Sequence, residues 1–174
     1  ETASTFAEMI VADASVKEAG TESEKLALLE DKIQRTVALL MNIHARFLFE
    51  TRFYEERKTG VVSVTRLNEL MTDAQKEAYG EALSEYHPGF WSSKLHFYIS
   101  DVPFYNFPYT FGYLFSLGIY EKALQEGKGF EEKYMALLRD TGSMNVEDLA
   151  AKHLGVDLSG RTFWENAVST CLKD

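Results

Sequence analysis

Two groups of residues in this 174-residue sequence have the types and spacing for chemistry. The first is a pair of carboxylates, Glu1 and Glu8, in a segment whose apolar residues Phe6, Met9, Ile10 and Ala14 recur at the helical period. Seven steps of ~100° return almost to the starting direction, so both acids leave one helix face about two turns apart. Thr5 lies between them, and its small side chain leaves room for another group to approach. An acid in the first turn is also favoured by the helix dipole alone, and Glu8 can be merely solvated. The second group is His96 with Tyr98, Tyr105, Tyr109 and Tyr113. Phenol hydroxyls and an imidazole can hold a substrate carbonyl or stabilise an oxyanion. Tyr109 and Tyr113 stand one helical turn apart on one face, and Gly112 beside Tyr113 permits close approach of a backbone or ligand. The same aromatic stripe can equally be packing.

The elements that carry these groups read as helices. The first runs to about Ala19 and is stopped by Gly20; Thr21 with Glu24 forms a capping-box pattern that opens a long helix to about Lys58. Ile33, Val37, Leu40, His44, Phe47 and Leu48 supply its apolar face, and Glu50, Arg52, Glu55, Glu56 and Arg57 mark a solvated side before Thr59-Gly60 ends it. Ser63 or Thr65 caps a further helix through Leu67, Leu70, Met71, Ala74, Ala78 and Leu83. All three prolines, Pro88, Pro103 and Pro108, fall in an aromatic-rich stretch from Tyr86 to Tyr120. They predict a short helix over 92–99, a loop over 100–107 and a helix from Pro108. Helices follow near 131–139, from an Asn145 cap to Gly155, and through Phe163, Trp164, Ala167, Val168 and Cys171. Strand-like alternation and hairpin turns are missing, so the expected fold is all-α, a single multi-helix unit over residues 1–174.

Composition narrows the function further. With 18 basic and 27 acidic residues the formal charge is −9, the wrong sign for phosphate-backbone binding, so no nucleic-acid partner is expected. No apolar run of about eighteen residues exists to span a membrane. The lone Cys171 cannot form an internal disulfide, and no signal segment is visible, which makes a cytoplasmic setting the default. None of the four histidines, His44, His87, His96 and His153, forms His-Glu-x-x-His, and phosphate-loop, dinucleotide and Gly-x-Ser-x-Gly patterns are also missing. The sequence starts on Glu1, with no methionine, in what reads as a helix interior, so it is expected to be a piece of something longer.

Taken together, the segments Glu1-Thr2-Ala3-Ser4-Thr5-Phe6-Ala7-Glu8, His96-Phe97-Tyr98 and the run from Pro103 through Phe104-Tyr105-Asn106-Phe107-Pro108-Tyr109-Thr110-Phe111-Gly112-Tyr113 to Ser116 resemble a known family. They look like the C-terminal part of the oligoendopeptidase F family, thimet-oligopeptidase-like zinc metallopeptidases. Glu147-Asp148-Leu149-Ala150 and Phe163-Trp164 extend the likeness over essentially the whole chain. The resemblance implies a mostly helical zinc endopeptidase that cleaves short peptides in a deep channel. It implies one zinc ion, held by the two histidines of a His-Glu-x-x-His helix and by a glutamate on the next helix, here matched by Glu1. Glu8 then matches a partner that orients a ligand histidine. His96 and Tyr105, Tyr109 and Tyr113 match groups that bind the peptide and polarise the scissile carbonyl; Tyr113, directly after the glycine, is the first candidate for oxyanion donor.

The helix bearing His-Glu-x-x-His would precede Glu1. Without it, two zinc ligands and the general base are lacking, and a single carboxylate binds zinc poorly. The chain by itself is therefore expected to be inactive and to need the N-terminal portion of the same enzyme as its partner. A non-catalytic helical peptide-binding module, keeping the aromatic cleft without metal chemistry, is the alternative.

Overall fold

The computed structural model describes residues 1–172, and among these every regular element is helical. Eight α-helices occur in the order α1 (Thr2–Glu18), α2 (Glu22–Val37), α3 (Ile43–Arg57), α4 (Val64–Ala78), α5 (Phe107–Glu126), α6 (Phe130–Asp140), α7 (Val146–Leu154) and α8 (Thr162–Cys171). A π-helical turn, Ala38–Asn42, joins α2 to α3, and two 3₁₀ turns, Pro88–Ser93 and Leu95–Tyr98, precede α5. None of the helices is long and apolar enough to cross a membrane. The contacts group into two compact units: Glu1–Leu29 with the chain from Phe111 onward, and Glu30–Thr110.

In the first unit the helices close over a core of Phe6, Phe115, Ile119, Phe130, Leu137, Leu149, Leu154 and Phe163. The Phe6 ring from α1 packs against Tyr134 at 4.5 Å and meets Tyr120 edge-on, while the Tyr120 hydroxyl donates to the carboxylate of Asp13. At the Thr21 cap, the hydroxyl accepts from the Glu24 N–H at 3.2 Å and the Glu24 carboxylate accepts from Gly20 N–H at 2.9 Å, the reciprocal pattern expected there. Gly155 ends α7 in the left-handed region with φ 64°, as its type predicts. At Gly118 a Cβ would lie 2.1 Å from the Phe163 ring, so only glycine lets α8 seat that ring against α5.

The second unit is built on α3 and α4 around Phe49, Leu70, Met71 and Ala74, with Phe53, Leu67, Phe90, Trp91 and Phe97 packed on them. Ser63, one of the two expected caps, accepts from Arg66 N–H at 3.1 Å. Trp91 donates its indole N–H to Asn68 at 2.9 Å, and Gln75 donates to the His87 carbonyl at 3.0 Å, fixing the aromatic segment to α4.

Four local expectations are corrected. The π turn inserts an extra residue into the helical ladder and rotates the buried face of α3: Phe47 is 36% exposed and His44 is exposed, while Ile43, Ala45 and Phe49 are buried; α2 ahead of the turn buries none of its residues, and Ile33 is 63% exposed. Glu50, expected on the solvated side, is 3% exposed. Leu83 lies outside α4, which stops at Ala78 because Gly80 and Glu81 both take positive φ, 56° and 58°. The helix expected over 92–99 is instead the two 3₁₀ turns. Ser92 and Ser93 bond back to the carbonyls of Gly89 and Phe90 at 2.8 and 3.0 Å, competing with helix propagation, and Lys94 between the turns is extended.

Gly118→Ala is expected to destabilise the chain by about 1–3 kcal/mol through overpacking, lowering the urea midpoint without changing its slope. An unchanged midpoint would show that Phe163 does not need this glycine.

Candidate functional site

The acidic pair lies in the first unit. Glu1 is the N-cap of α1, and Glu8 lies within the helix; both are exposed. Between them Thr5 is buried, at 7% exposure. Its hydroxyl lies 2.9 Å from the Glu1 carbonyl and donates to the Ser116 hydroxyl at 3.0 Å, which donates on to the Tyr113 carbonyl at 2.7 Å. This chain of hydroxyls ties the first turn of α1 to α5. The two helices meet so closely that a Cβ on Gly112 would stand 2.7 Å from the Cβ of Glu1 and 3.3 Å from the Thr2 nitrogen. Gly112 is thus the residue that admits Glu1 to this place. Tyr113 follows it and is buried at 4%.

The aromatic group lies in the second unit. Tyr105 stacks on the His96 imidazole with centroids 5.0 Å apart, and Tyr109 meets the imidazole edge-on at 5.9 Å and Tyr105 at 6.2 Å. Tyr98 points elsewhere: it is 58% exposed and its hydroxyl donates to the Ser92 carbonyl at 3.1 Å. The structure therefore brings His96, Tyr105 and Tyr109 together, and places Tyr113 in the other unit.

The turn that presents Tyr105 is held by residues that sequence reasoning missed. Phe104 has φ 57°, a left-handed conformation unfavourable for a side-chain-bearing residue. Its N–H donates to the buried Glu50 carboxylate at 2.7 Å. Asn106, fully buried, accepts from Arg46 at 3.2 Å, and the same guanidinium donates to Asn42 at 3.0 Å. Asn42, the last residue of the π turn, and Arg46 and Glu50 of α3 are spaced four residues apart and form one stripe. The π turn contributes as well, since the Leu39 carbonyl accepts from the Thr110 hydroxyl at 2.6 Å. The available signal was a lone asparagine within an aromatic run, and Arg46 one turn before Glu50, of which charge patterning assigned Glu50 to solvent.

Electrostatics sets the protonation states. Burial, with the Arg46 and Lys94 charges adding to it, lowers the His96 pKa, so the imidazole is neutral near pH 7, with one N–H to donate and one nitrogen to accept. Burial raises the Glu50 pKa, opposed by the Phe104 N–H and the Tyr54 hydroxyl. Because the folded state holds the Glu50 proton more tightly than the unfolded chain does, this group weakens stability as pH rises from the ordinary carboxylate value through its raised one. Glu50→Gln keeps an acceptor for Phe104 and removes that charge. Urea unfolding across a pH series should show variant and parent close at acid pH, with the variant gaining relative stability as pH rises; parallel curves would refute a buried titrating Glu50.

Among the described residues no three His, Cys, Asp or Glu side chains are grouped to hold a metal. Elsewhere, His153 and Lys152 both bind the Asp140 carboxylate at 2.7 Å, a surface tie between α6 and α7.

Comparison with known proteins bears on the assignment. A family model described as Peptidase family M3 matches residues 1–169. Among curated proteins, "Oligoendopeptidase F, chromosomal" of Lactococcus lactis subsp. cremoris is 28% identical over 171 residues, which are 96% of this chain and 28% of that protein. The chain thus spans just over a quarter of that relative's length. No solved structure matches.

Proposed function

The chain belongs to peptidase family M3, and from that premise we propose that it is the C-terminal part of a zinc-dependent endopeptidase acting on short peptides. In this reading Glu1 supplies one carboxylate ligand, Glu8 orients a ligand histidine, and His96 with Tyr105, Tyr109 and Tyr113 holds the scissile carbonyl. The two remaining ligands and the general base come from a His-Glu-x-x-His-bearing portion of the same enzyme, so the chain alone does not cleave peptides. The observation that carries the reading is the gathering of two phenols on a neutral imidazole, within a chain whose family match runs over residues 1–169.

The chemistry of this chain's own residues follows from their donors. A peptide carbonyl gains negative charge on its oxygen as it is attacked, and preorganised O–H and N–H donors stabilise that charge without reorganising. The Tyr105 and Tyr109 rings are fixed against His96, so their hydroxyls can be held in place at little entropic cost on binding. The Gly112 approach gives Glu1 a backbone that cannot drift from α5, which suits a metal ligand whose position must be kept to a fraction of an ångström.

Combining the chain with the His-Glu-x-x-His-bearing portion should restore zinc-dependent cleavage of a fluorescence-quenched peptide. With Glu1→Gln in the combined protein, zinc content after dialysis should fall sharply while the unfolding curve stays in place. No cleavage from a folded, zinc-loaded complex would overturn the reading in favour of a non-catalytic peptide-binding module.

Tyr113→Phe in the same complex is expected to lower kcat about 10²–10³-fold, the size of one lost oxyanion donor. Unchanged turnover would move that role to Tyr105 or Tyr109, whose phenylalanine variants then show the loss.

A further inference from the structure

Next to the His96 group stand two cations with no counter-charge. Arg46 from α3 lies 5.5 Å from the Phe90 ring centroid and Lys94 lies 4.3 Å from the same centroid. Among the described residues the guanidinium bonds only to the neutral side chains of Asn42 and Asn106. No carboxylate among the described residues lies within ion-pair distance of either cation. Glu50, one turn along α3, is turned to the Phe104 N–H instead. In the same unit Arg52, Lys58 and Arg66 each pair with a glutamate, and the cations without such a pair among the described residues, Arg57 and Lys76, are exposed; Arg46 and Lys94 differ in being half-buried. In a chain with 27 acids and 18 bases, two uncompensated neighbouring cations run against the overall balance.

Physical cost makes the arrangement informative. Both cations are half-buried, burial lowers the pKa of each, and the Arg46 charge lowers that of Lys94 further. Withdrawing like charges from water beside each other is unfavourable unless an anion joins them. Phe90 holds both cations in place by cation–π contact, and Asn42 and Asn106 fix the guanidinium, so the pair is preorganised and does not swing to solvent. The Asn106 that anchors Arg46 directly follows Tyr105, and Lys94 stands two residues before His96, so the cations border the groups assigned to the peptide carbonyl.

We propose that Arg46 and Lys94 form a subsite for a carboxylate of the bound peptide, making acidic or C-terminally free peptides the preferred ligands. The proposal rests on the peptidase reading for the identity of the ligand as a peptide. Lys94 contributes a point charge that tolerates either carboxylate geometry; Arg46, with its other nitrogens engaged, offers its remaining N–H edge. The carboxylate has two sources, the peptide's own C-terminus or an Asp/Glu side chain.

The test uses the 174-residue chain and three N-acetylated peptides of one length: one with a free C-terminal carboxylate, its C-terminal amide, and the amide with one internal glutamate. Binding is read by NMR titration of the His96 and Tyr105 ring signals. At least one carboxylate-bearing peptide should bind about tenfold tighter than the neutral amide, and which one does so identifies the source. Lys94→Met should abolish the preference and Lys94→Arg should restore it, with thermal unfolding unchanged in both. Equal affinity of all three peptides, a preference that survives Lys94→Met, or no binding by any of them overturns the proposal. These outcomes are separate from cleavage: equal affinity of the parent chain for all three peptides with intact zinc-dependent turnover in the combined protein removes the subsite only, and a Lys94-dependent preference without turnover removes the peptidase reading only.

Discussion

The hydrogen bond from Arg46 to the fully buried Asn106 is the constraint on which the functional half of the second unit depends. A buried amide must be satisfied or it costs free energy comparable to a lost hydrogen bond, so Asn106 cannot leave Arg46 cheaply. One residue earlier is Tyr105, and two residues earlier is Phe104, whose left-handed backbone is held by Glu50. Three consecutive residues are thereby fixed by one face of α3, and the Tyr105 ring inherits that order. His96 then needs no hydrogen bond of its own to be positioned, because stacking on Tyr105 and the edge of Tyr109 define its plane. The π turn belongs to the same device: it sets the phase of α3 so that Asn42, Arg46 and Glu50 face inward, and its Leu39 carbonyl anchors Thr110 at the start of α5.

The first unit solves a related problem by a different means. No long polar side chain anchors the start of α1; small residues do. Gly112 removes the side chain that would collide with Glu1, and Thr5 and Ser116 fill the space left with a pair of hydroxyls. Close backbone approach converts van der Waals contact into positional precision, because a helix pressed against a glycine has no slack in that direction. In both units the positioned side chain is exposed while a buried residue anchors it: Glu1 above Thr5 and Gly112, Tyr105 next to Asn106.

How much of this could be read from the sequence depended on whether the signal was local. The all-helical class, the Thr21 and Ser63 caps and the Gly155 stop were legible because each rests on residues within one turn. The phase of the long second helix was not, because a π turn has no reliable residue signature, and a single inserted residue moved Phe47 outward and Glu50 inward. Ser92 and Ser93 carried a hint of the 3₁₀ turns that helical periodicity overrode. At the site, His96, Tyr105 and Tyr109 were recognised by type and resemblance, whereas Arg46, Glu50 and Asn106 act over 54 to 60 residues of separation, a distance at which charge patterning says nothing about burial.

The charges around His96 also couple its proton to whatever binds there. The imidazole is flanked by Arg46 on α3, by Lys94 on its own segment, and by the Tyr105 and Tyr109 rings; the two cations are among the reasons its pKa is lowered. An anion seated on them cancels part of their field, so the imidazole's affinity for a proton must rise when the anion binds. Linkage makes the converse equally binding: a protonated His96 must hold the same anion more tightly. Without an anion, burial and the two cations favour the neutral imidazole. With a carboxylate in place, His96 moves toward the cationic form, a stronger hydrogen-bond donor still. Under the proposed subsite the two cations would do more than attract a charged ligand, since the ligand's own carboxylate would then adjust the acidity of the neighbouring imidazole.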